Sequence, residues 1–461
     1  MSTTRHPKVV ILGAGSLFFG RAAIWQMVHS PHLNRGTLAL VDTDADRLAK
    51  MERLARMVVE HNGVDLTIQA STDRNDVLDD ADFVVFSFAD RNAHFRGIDC
   101  ETAAKYGIRM CSGDTIGPGG VMRSAREFPE IIRACRDVEK RCPDAWLINY
   151  INPTAVHGIG ARRYFPGLKS FALCDAQWQL RDNYARLAGV ENDEKFTLLS
   201  AGPNHFTWLL KAEYDGQDVL PRIVDSIRAK ADEDANQQAQ GGKADSKGYN
   251  NNSIALELYE ALGVLATVLG HTKEYVRFYQ GLGRTGRDVH EPLKLFEVPK
   301  RVAWTQRAWN RVDEYLEGKV DIAAFDTEFG PDPAMGVIEN MWGKLGKRMF
   351  INTMNGGAVP NMADDAFLEL YCDMSMEGPK PVPHPAMPRG VRAMCETVLD
   401  THELTAQAIY EERRDLLRRA LLVDPLASSI GDVDGLLDEL LELEADALPE
   451  HGFAAAPAGA S

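Results

Sequence analysis

A short apolar run followed at once by two glycines is the feature that most constrains how this chain folds. Residues Lys8 to Leu12 read Lys-Val-Val-Ile-Leu, which is typical of a strand buried on both faces of a parallel sheet. Gly13 and Gly15 follow, and a helical pattern then covers residues 22–28. Such glycines permit a tight turn and a close approach of the backbone to a phosphate group at a helix N-terminus. The order strand, glycine turn, helix therefore predicts a dinucleotide-binding unit.

The second predicted strand adds an acidic residue to this unit, because it ends on Asp42. A carboxylate there accepts hydrogen bonds from an adenosine ribose and repels a 2′-phosphate, so NAD is favoured over NADP. The third glycine of the full pattern is missing, since position 18 is a phenylalanine. We expect Gly13, Gly15, Ser16 and Asp42 to bind NAD. The alternative is a buried strand, turn and helix in which the glycines serve only the turn.

Strands and helices alternate along the first 200 residues, which predicts a Rossmann-like, doubly wound α/β domain over residues 1–200. The further strands are predicted at 65–70, 81–88, 145–150 and 170–174, and a helix at 45–62. Longer helices, at 252–268, 306–317 and 403–422, predict an α+β substrate and oligomerisation domain over 201–448. Residues 232–247 are expected to form a loop, and residues 449–461 a disordered tail.

Composition limits the classes of partner. The chain has 51 Lys and Arg against 67 Asp and Glu, a net charge of −16, which argues against a nucleic-acid scaffold or a polybasic membrane binder. Its seven cysteines are scattered and include no C-x-x-C pair, so neither a disulfide framework nor a structural zinc site is expected. No signal-peptide pattern or membrane-length apolar run is present, and we expect a cytoplasmic protein.

Polar residues follow two later strands, at the edge where α/β sheets bind ligands. Asn152 follows the strand at 145–150, and Cys174 with Asp175 follows the strand at 170–174. Asn204 and His205 come after the next apolar stretch. A thiolate and an imidazole on neighbouring strand ends are suited to a borderline divalent metal with open coordination positions. Taken singly, a cysteine is more often a core residue and a histidine a hydrogen-bonded one, and spacing alone does not bring the two together.

In their order and spacing these motifs resemble the family 4 glycoside hydrolases, the NAD- and metal-dependent glycosidases, over nearly the whole chain. The motifs that carry the resemblance are Gly13-x-Gly-Ser16, Asp42-x-Asp44, Arg96-x-x-Asp99, Lys105-Tyr-Gly107, Asp114 to Gly120, Asn152-Pro153, Cys174-Asp175, Asn204-His205, Asn355 to Asn361 and Ala420 to Pro425. The resemblance implies a homo-oligomer, a dimer or a tetramer.

The resemblance also implies an unusual chemistry that differs from the two-carboxylate scheme. NAD removes hydride from sugar C3, a divalent metal on Cys174 and His205 polarises the ketone, and a base takes the C2 proton. The glycosidic oxygen leaves by elimination, water adds, and the hydride returns. Mn²⁺ is the expected ion. Asp175 is the expected proton donor to the leaving oxygen, with a strand-end cap as its alternative role. The expected substrate contacts are Arg96, Asn152, Asn204 and His271, and Asn152 is also expected to contact NAD.

The base is less well defined by the sequence. The stretch from Glu274 to Tyr279 fits the phosphoglucosidase branch best and nominates Tyr275, whose pKa would have to fall below its usual value of about 10. Other members use an aspartate at the position that is Leu269 here. His271 and Tyr249 therefore stay candidates, and helix packing is the alternative role of Tyr275.

The substrate is similarly open. By the same resemblance, Asp175 favours an α-glycoside with an anionic group at C6, but the proline of Cys-x-x-Pro is absent because Gln177 and Trp178 stand after Ala176. A 6-phospho or 6-sulfo sugar and an uncharged sugar all remain, with Gln177 and Trp178 expected to shape the sugar site. The rival functions are an NAD-dependent sugar or hydroxyacid dehydrogenase and a non-catalytic NAD- or sugar-sensing regulator.

Overall fold

A mixed nine-stranded sheet organises the molecule, in the strand order β13-β12-β11-β6-β5-β4-β1-β2-β3. The structure is a computed structural model and describes residues 5–17, 19–239, 251–280, 293–449 and 453. Six parallel strands come from the first half of the chain: β1 (Lys8–Leu12), β2 (Thr37–Val41), β3 (Thr67–Ser71), β4 (Phe83–Phe86), β5 (Trp146–Asn149) and β6 (Lys169–Ala172).

A small antiparallel sheet follows in the chain, and three further strands then extend the large sheet. The small sheet contains β7 (Phe196–Ala201), β8 (Trp208–Tyr214), β9 (Gln217–Asp218) and β10 (Leu265–Ala266). The extension consists of the antiparallel strands β11 (Arg348–Met354), β12 (Phe367–Ser375) and β13 (Gly378–Pro381). β11 pairs with β6 through Asn352 and Ala172, so residues beyond 340 complete a sheet that the first 172 residues begin.

Helices pack against both the large and the small sheet. They are α1 (Gly20–His29), α2 (Ala45–Asn62), α3 (Asn92–Lys105), α4 (Gly117–Arg141), α5 (Thr154–Tyr164), α6 (Leu180–Ala188), α7 (Leu220–Ala239), α8 (Asn251–Leu262), α9 (Leu269–Thr272), α10 (Val298–Leu316), α11 (Phe325–Glu328), α12 (Pro333–Gly343), α13 (Arg389–Tyr410), α14 (Arg414–Val423) and α15 (Ile430–Leu443). None of these described helices is both long and apolar enough to cross a membrane.

The sheet separates two hydrophobic cores, and β1 shows why its strands are continuously apolar. Val9 and Ile11 pack into one core, whereas Val10 and Leu12 pack into the other. Successive side chains of a strand point to opposite faces, so a strand covered on both faces buries every residue. The prediction of a Rossmann-like α/β fold followed by a mixed region is confirmed.

Several predicted elements differ from those observed. The predicted helix at 252–268 ends at Leu262, because Gly263 adopts a left-handed φ of +72° and β10 follows. The predicted helix at 403–422 is two helices, α13 and α14, and Glu412 between them has a φ of +54°. Of the predicted loop at 232–247, residues up to 239 continue α7, and the remainder lies outside the described residues. The tail at 449–461 also lies outside them, except Pro449 and the buried Phe453.

Candidate active site

The glycine turn after β1 is fixed by steric contacts on both of its predicted glycines. Gly13 has a φ of +93°, and a Cβ there would lie 2.6 Å from the main chain of Phe88. The N–H of Gly15 donates to Asp42 Oδ2 at 2.8 Å, and a Cβ on Gly15 would lie 2.7 Å from the same oxygen. The N–H of Ser16 donates to the Gly13 carbonyl at 2.9 Å. Gly13, Gly15, Ser16 and Asp42 therefore form one turn, in which neither glycine has room for a side chain.

A third glycine serves this turn, two positions later than the motif places it. Gly20 is the first residue of α1, and a Cβ there would lie 2.4 Å from the Ala14 carbonyl oxygen. This contact lets the helix begin against the loop, which is the role of the third glycine in dinucleotide-binding units. The glycine pattern did not identify Gly20, because the turn is longer than the pattern assumes.

The structure brings Cys174 and His205 together. Cys174 Sγ lies 2.7 Å from His205 Nε2, and both side chains are buried. Burial raises the pKa of the Cys174 thiol well above its usual range, and the nearby Glu369 and Asp175 carboxylates add to this. His205 has a left-handed φ of +64° and stacks on the His271 ring at 4.1 Å between centroids.

This donor pair fits a metal ion. A thiolate and an imidazole nitrogen are ligands that a borderline divalent cation accepts. A cation would also remove the cost of ionising the buried thiol, because a coordinating thiol loses its proton. Among the residues that the structure describes, no group of three or more His, Cys, Asp and Glu side chains is arranged to hold a metal ion. Cys174 and His205 would therefore supply two ligands and leave the remaining positions to substrate or water.

His271 is tied to the glycine-rich segment after α3 through Glu274. The Glu274 carboxylate lies 3.7 Å from His271 Nδ1 and accepts hydrogen bonds from the N–H groups of Ser112 at 2.5 Å and Gly113 at 3.2 Å. Burial acts to raise the pKa of Glu274, but the contacts with His271 and with the backbone outweigh it and hold that pKa below its usual range. His271 is thus placed beside His205, as expected for a residue at the substrate.

Arg96 and Asn152 converge on a residue that the sequence analysis left without a role. Asp114 Oδ2 accepts from Arg123 Nη1 at 2.9 Å and from Asn152 Nδ2 at 3.3 Å, and it lies 3.4 Å from Arg96 Nη1. Burial acts to raise the pKa of Asp114, but the guanidinium charges of Arg96 and Arg123 hold it well below its usual range. Asp114 lies in the glycine-rich motif at 113–120, and this motif is the sequence signal that could have identified it.

Arg301 on α10 adds a third cation to this group. Burial lowers the pKa of the Arg301 guanidinium, the charge of Arg96 lowers it further, and the charge of Asp114 raises it. Three guanidinium groups, those of Arg96, Arg123 and Arg301, thus act on the one Asp114 carboxylate. No sequence signal had singled out Arg301.

Tyr275 lies deep beside the predicted metal pair. Its hydroxyl donates to the main-chain carbonyl of Asn204 at 3.1 Å, and its ring stacks on Phe206 at 5.2 Å between centroids. Burial raises the pKa of the Tyr275 hydroxyl well above its usual range in the metal-free chain. The hydroxyl therefore sits one residue from His205. Of the other candidate bases, Tyr249 lies outside the described residues.

Asp175 and Gln177 begin and end the short 3₁₀ helix after Cys174, and they differ in accessibility. Asp175 is exposed, whereas the Gln177 amide is buried, accepts from Ser200 Oγ at 2.8 Å and donates to Thr207 Oγ1 at 2.8 Å. The Gln177 amide is thus engaged inside the protein, and the expectation that Gln177 and Trp178 shape the sugar site stays a prediction. Asp175 is left as the polar group of this turn that faces solvent.

Glu369 on β12 is a residue that sequence reasoning missed. Its Oε2 accepts from Gln177 Nε2 at 3.0 Å and from Asn204 Nδ2 at 3.5 Å, and its N–H donates to the Gly202 carbonyl at 2.8 Å. One fully buried residue thus ties together the turn that carries Cys174 and the turn that carries His205. Burial raises the pKa of Glu369 to about 7. No motif marks this position, since Glu369 is one of two acids, with Asp373, in a strand that is otherwise mostly apolar.

Two family models match the chain. The model described as "Family 4 glycosyl hydrolase" matches residues 8–190, and the model described as "Family 4 glycosyl hydrolase C-terminal domain" matches residues 200–427. Together they cover both the parallel half of the sheet and the region that completes it. The resemblance inferred from the motifs is confirmed.

Curated relatives and solved structures agree with these models. An alpha-galactosidase of Bacillus subtilis (strain 168) is 26% identical over an alignment of 458 residues that covers 96% of this chain and 99% of the relative. A maltose-6'-phosphate glucosidase of the same organism is 23% identical, with 96% of each chain covered. A crystal structure of a 6-phospho-alpha-glucosidase from gut microorganisms, in complex with NAD and Mn²⁺, superposes with a TM-score of 0.81 at 21% identity, covering 96% of this chain and 99% of that one. This chain belongs to the family 4 glycosyl hydrolases.

Proposed function

We propose that this glycoside hydrolase cleaves an α-glycoside with the help of NAD and Mn²⁺, through transient oxidation at sugar C3. The observation that carries the proposal is the Cys174–His205 pair, whose Sγ and Nε2 atoms meet at 2.7 Å. Cys174 follows β6, and Asn152 and Gly13 follow the parallel strands β5 and β1. The carboxyl ends of parallel strands lie along one edge, so the metal pair, the substrate residues and the nucleotide turn share that edge.

NAD and a divalent cation both fit the residues present. The turn at Gly13, Gly15 and Asp42 leaves no room for a Cβ, as expected of a backbone that contacts a dinucleotide. Cys174 and His205 would hold the cation, and the similar 6-phospho-alpha-glucosidase structure contains NAD and Mn²⁺. When bound, NAD would accept a hydride from C3 and return it, and the cation would polarise the C3 oxygen.

The protein's own groups supply the proton transfers in this proposal. The exposed Asp175 carboxyl protonates the glycosidic oxygen as the bond to C1 breaks. The Tyr275 oxygen takes the C2 proton, and its position one residue from His205 puts it near the cation that would lower its pKa. His271 and Asn204 position the sugar together with Asn152 and Arg96. The Glu274 carboxylate contacts His271 and holds its ring in position.

We propose an anionic group at C6 of the sugar, a phosphate or a sulfonate. Support comes from the surroundings of Asn152, where the guanidinium groups of Arg96, Arg123 and Arg301 face two buried carboxyl groups, those of Asp114 and Glu127, and burial raises the pKa of Glu127 to about 7. An excess of fixed positive charge in a buried site favours a substrate that carries the compensating negative charge. Relatives include both a glucosidase named for a phosphorylated sugar and an alpha-galactosidase, so the sugar is decided by experiment.

We also propose a cytoplasmic homo-oligomer, a dimer or a tetramer. All seven cysteines are free and buried, and a reducing compartment preserves such a set. Light scattering of the purified protein measures its mass directly.

The test is turnover of 4-nitrophenyl α- and β-glycosides, with free, 6-phospho and 6-sulfo sugars, with and without NAD and Mn²⁺. We expect hydrolysis that needs both, no net NADH, and exchange of the C2 proton with D₂O. Tyr275→Phe should lower the exchange rate at least 10²-fold, whereas His271→Asn should retain it. Loss of exchange in the His271 variant alone would move the base to His271. NADH formation from free sugars without glycoside cleavage would instead establish a sugar dehydrogenase.

A further inference from the structure

A cavity of about 190 Å³ opens beside Cys174, and the proposed reaction leaves most of its lining unexplained. Trp178 and Arg181 line one side, on the turn after Cys174 and on α6. Lys347 and Arg348 line the other side, where β11 begins, and α12 closes the cavity between them. The cavity is thus formed jointly by the residues that follow Cys174 and by the late strands of the large sheet.

The charged side chains that line this cavity are all cations. They are Arg181, Lys347 and Arg348. The neutral groups Asn192 Oδ1 and the Asp193 carbonyl accept from Arg181, and Arg348 Nε contacts Asp373 at 2.7 Å outside the lining. Within the described part of the chain, the exposed Lys347 ammonium forms no ion pair. In a protein with a net charge of −16, such a local excess of positive charge attracts anions.

Flat side chains accompany these cations. The rings of Trp178, Phe350 and Tyr371 line the cavity, and the Phe350 and Tyr371 centroids lie 4.9 Å apart. Arg181 lies over the Tyr371 ring at 5.6 Å. Aromatic faces beside a cation suit a ring-shaped ligand that carries a negative charge, because the ring stacks while the cation binds the anionic group.

The cavity also lies on a particular side of the proposed reaction. Asp175, the proposed proton donor to the leaving oxygen, directly follows Cys174 and lies two positions before Gln177 on the same 3₁₀ turn, and Cys174 and Gln177 both line the cavity. A leaving group protonated by Asp175 would therefore depart toward it. We propose that this cavity is the leaving-group subsite, and that it selects ring-bearing leaving groups with a negative charge. The inference rests on the proposed function for the role of Asp175.

Two phenols that differ only in charge test this subsite. Isothermal titration of the NAD-loaded enzyme should show 4-hydroxybenzoate binding roughly tenfold more tightly than 4-hydroxybenzamide, as expected for partly exposed cations acting on one anion. The same preference should appear in kcat/KM for the 4-carboxyphenyl and 4-carbamoylphenyl glycosides of the preferred sugar. The double variant K347Q/R348Q should reduce both ratios to less than about threefold, whereas K319Q/R413Q, an equal charge change at exposed positions outside the cavity, should not.

The outcomes separate the two proposals. Equal binding of the two phenols, or a preference that K347Q/R348Q leaves unchanged, would overturn the subsite while glycoside hydrolysis stands. A binding preference without the matching preference in kcat/KM would also overturn it, since the anion would then bind away from the leaving group. Failure of the proposed function appears instead as absence of turnover on every glycoside, whatever the phenols do.

Discussion

The nucleotide turn and the Cys174–His205 pair lie at the same edge of one sheet but are assembled in opposite ways. The turn uses residues 13 to 42, and its decisive contact joins Gly15 to Asp42 across a single strand–helix–strand unit. Cys174 and His205 are 31 residues apart in the sequence. The turns that carry them both contact Glu369, which lies about 165 residues further along the chain. Local motifs thus suffice to form the glycine turn, whereas the Cys174–His205 pair depends on the late strands of the sheet.

The largest expected effect is at the pair itself. Cys174→Ser replaces a thiolate ligand by a hydroxyl that binds a borderline cation poorly, and we expect turnover to fall about 10³-fold, since bound metal contributes several kcal/mol to such reactions. Mn²⁺ titration of the variant should show weakened binding, and EDTA treatment of the wild type should reproduce the loss. Cys142→Ser, at another buried cysteine, should keep Mn²⁺ binding. Undiminished turnover of Cys174→Ser would remove this residue from the metal site.

Glu369→Gln tests the long-range contact that joins the turns carrying Cys174 and His205. The new amide would direct N–H groups or a weaker acceptor toward the Gln177 and Asn204 amides that now donate to Glu369 Oε2. Loss of a residue that orients metal ligands typically costs 10–100-fold in metal affinity, and we expect a weakening in that range. Glu377→Gln, at the exposed turn after β12, is the matched control. Mn²⁺ affinity equal to that of the wild type would show that the two turns hold their positions without Glu369.

Gly13→Ala tests the local half of the comparison. The substitution places a methyl group 2.6 Å from the Phe88 main chain and strains a φ of +93°, so the turn must shift, and we expect NAD to bind about tenfold more weakly. Gly63→Ala offers a matched control, because Gly63 has a φ of +61° with open space around it. That variant should lose some stability and retain its NAD affinity. Fluorescence titration with NADH measures the affinity of both variants. Equal losses of affinity in the two variants would mean that backbone strain alone weakens NAD binding.

The smallest effect concerns Asp424, whose carboxylate accepts from the N–H groups of Gly117 and Leu426. Burial raises the pKa of Asp424 to about 6 in the folded protein, above the usual 3.8. The stabilisation is therefore present below about pH 4 and is lost as the pH rises through 6. Relative to Asp424→Asn, the wild type should lose roughly 2 kcal/mol between pH 4.5 and 7.5. Urea unfolding of both proteins measures this difference, and a pH-independent difference would contradict it.

What the sequence predicts well follows from the same distinction. Helix α2 is observed at Ala45–Asn62, the residues predicted, because Asp44 caps its start and Gly63 ends it in the left-handed region. These signals lie within a few residues of the helix itself. The apolar run at β1 is equally local, since it reflects burial on both faces of the sheet.

What the sequence does not predict depends on distant partners. Glu369 and Asp114 acquire their roles only when β12 and the segment after α3 reach the sheet edge. Glu369 has no motif around it, and the glycine-rich motif around Asp114 does not by itself show which side chains that carboxylate meets. The break between α13 and α14 was also missed, because Glu412 adopts a left-handed φ without the glycine that usually marks such a turn. The predicted closeness of Cys174 and His205 came from the family resemblance, not from their spacing.

The pairing of β11 with β6 limits how the chain can be divided into fragments. A fragment that ends near residue 200 would retain the nucleotide turn but would expose the backbone of β6 as an unprotected edge, which invites aggregation. It would also lack Glu369, so its Cys174 turn would lose its anchor. Swapping front and back halves between relatives would meet the same obstacle at the β6–β11 seam. The smallest exchangeable part of this enzyme is therefore the entire catalytic chain.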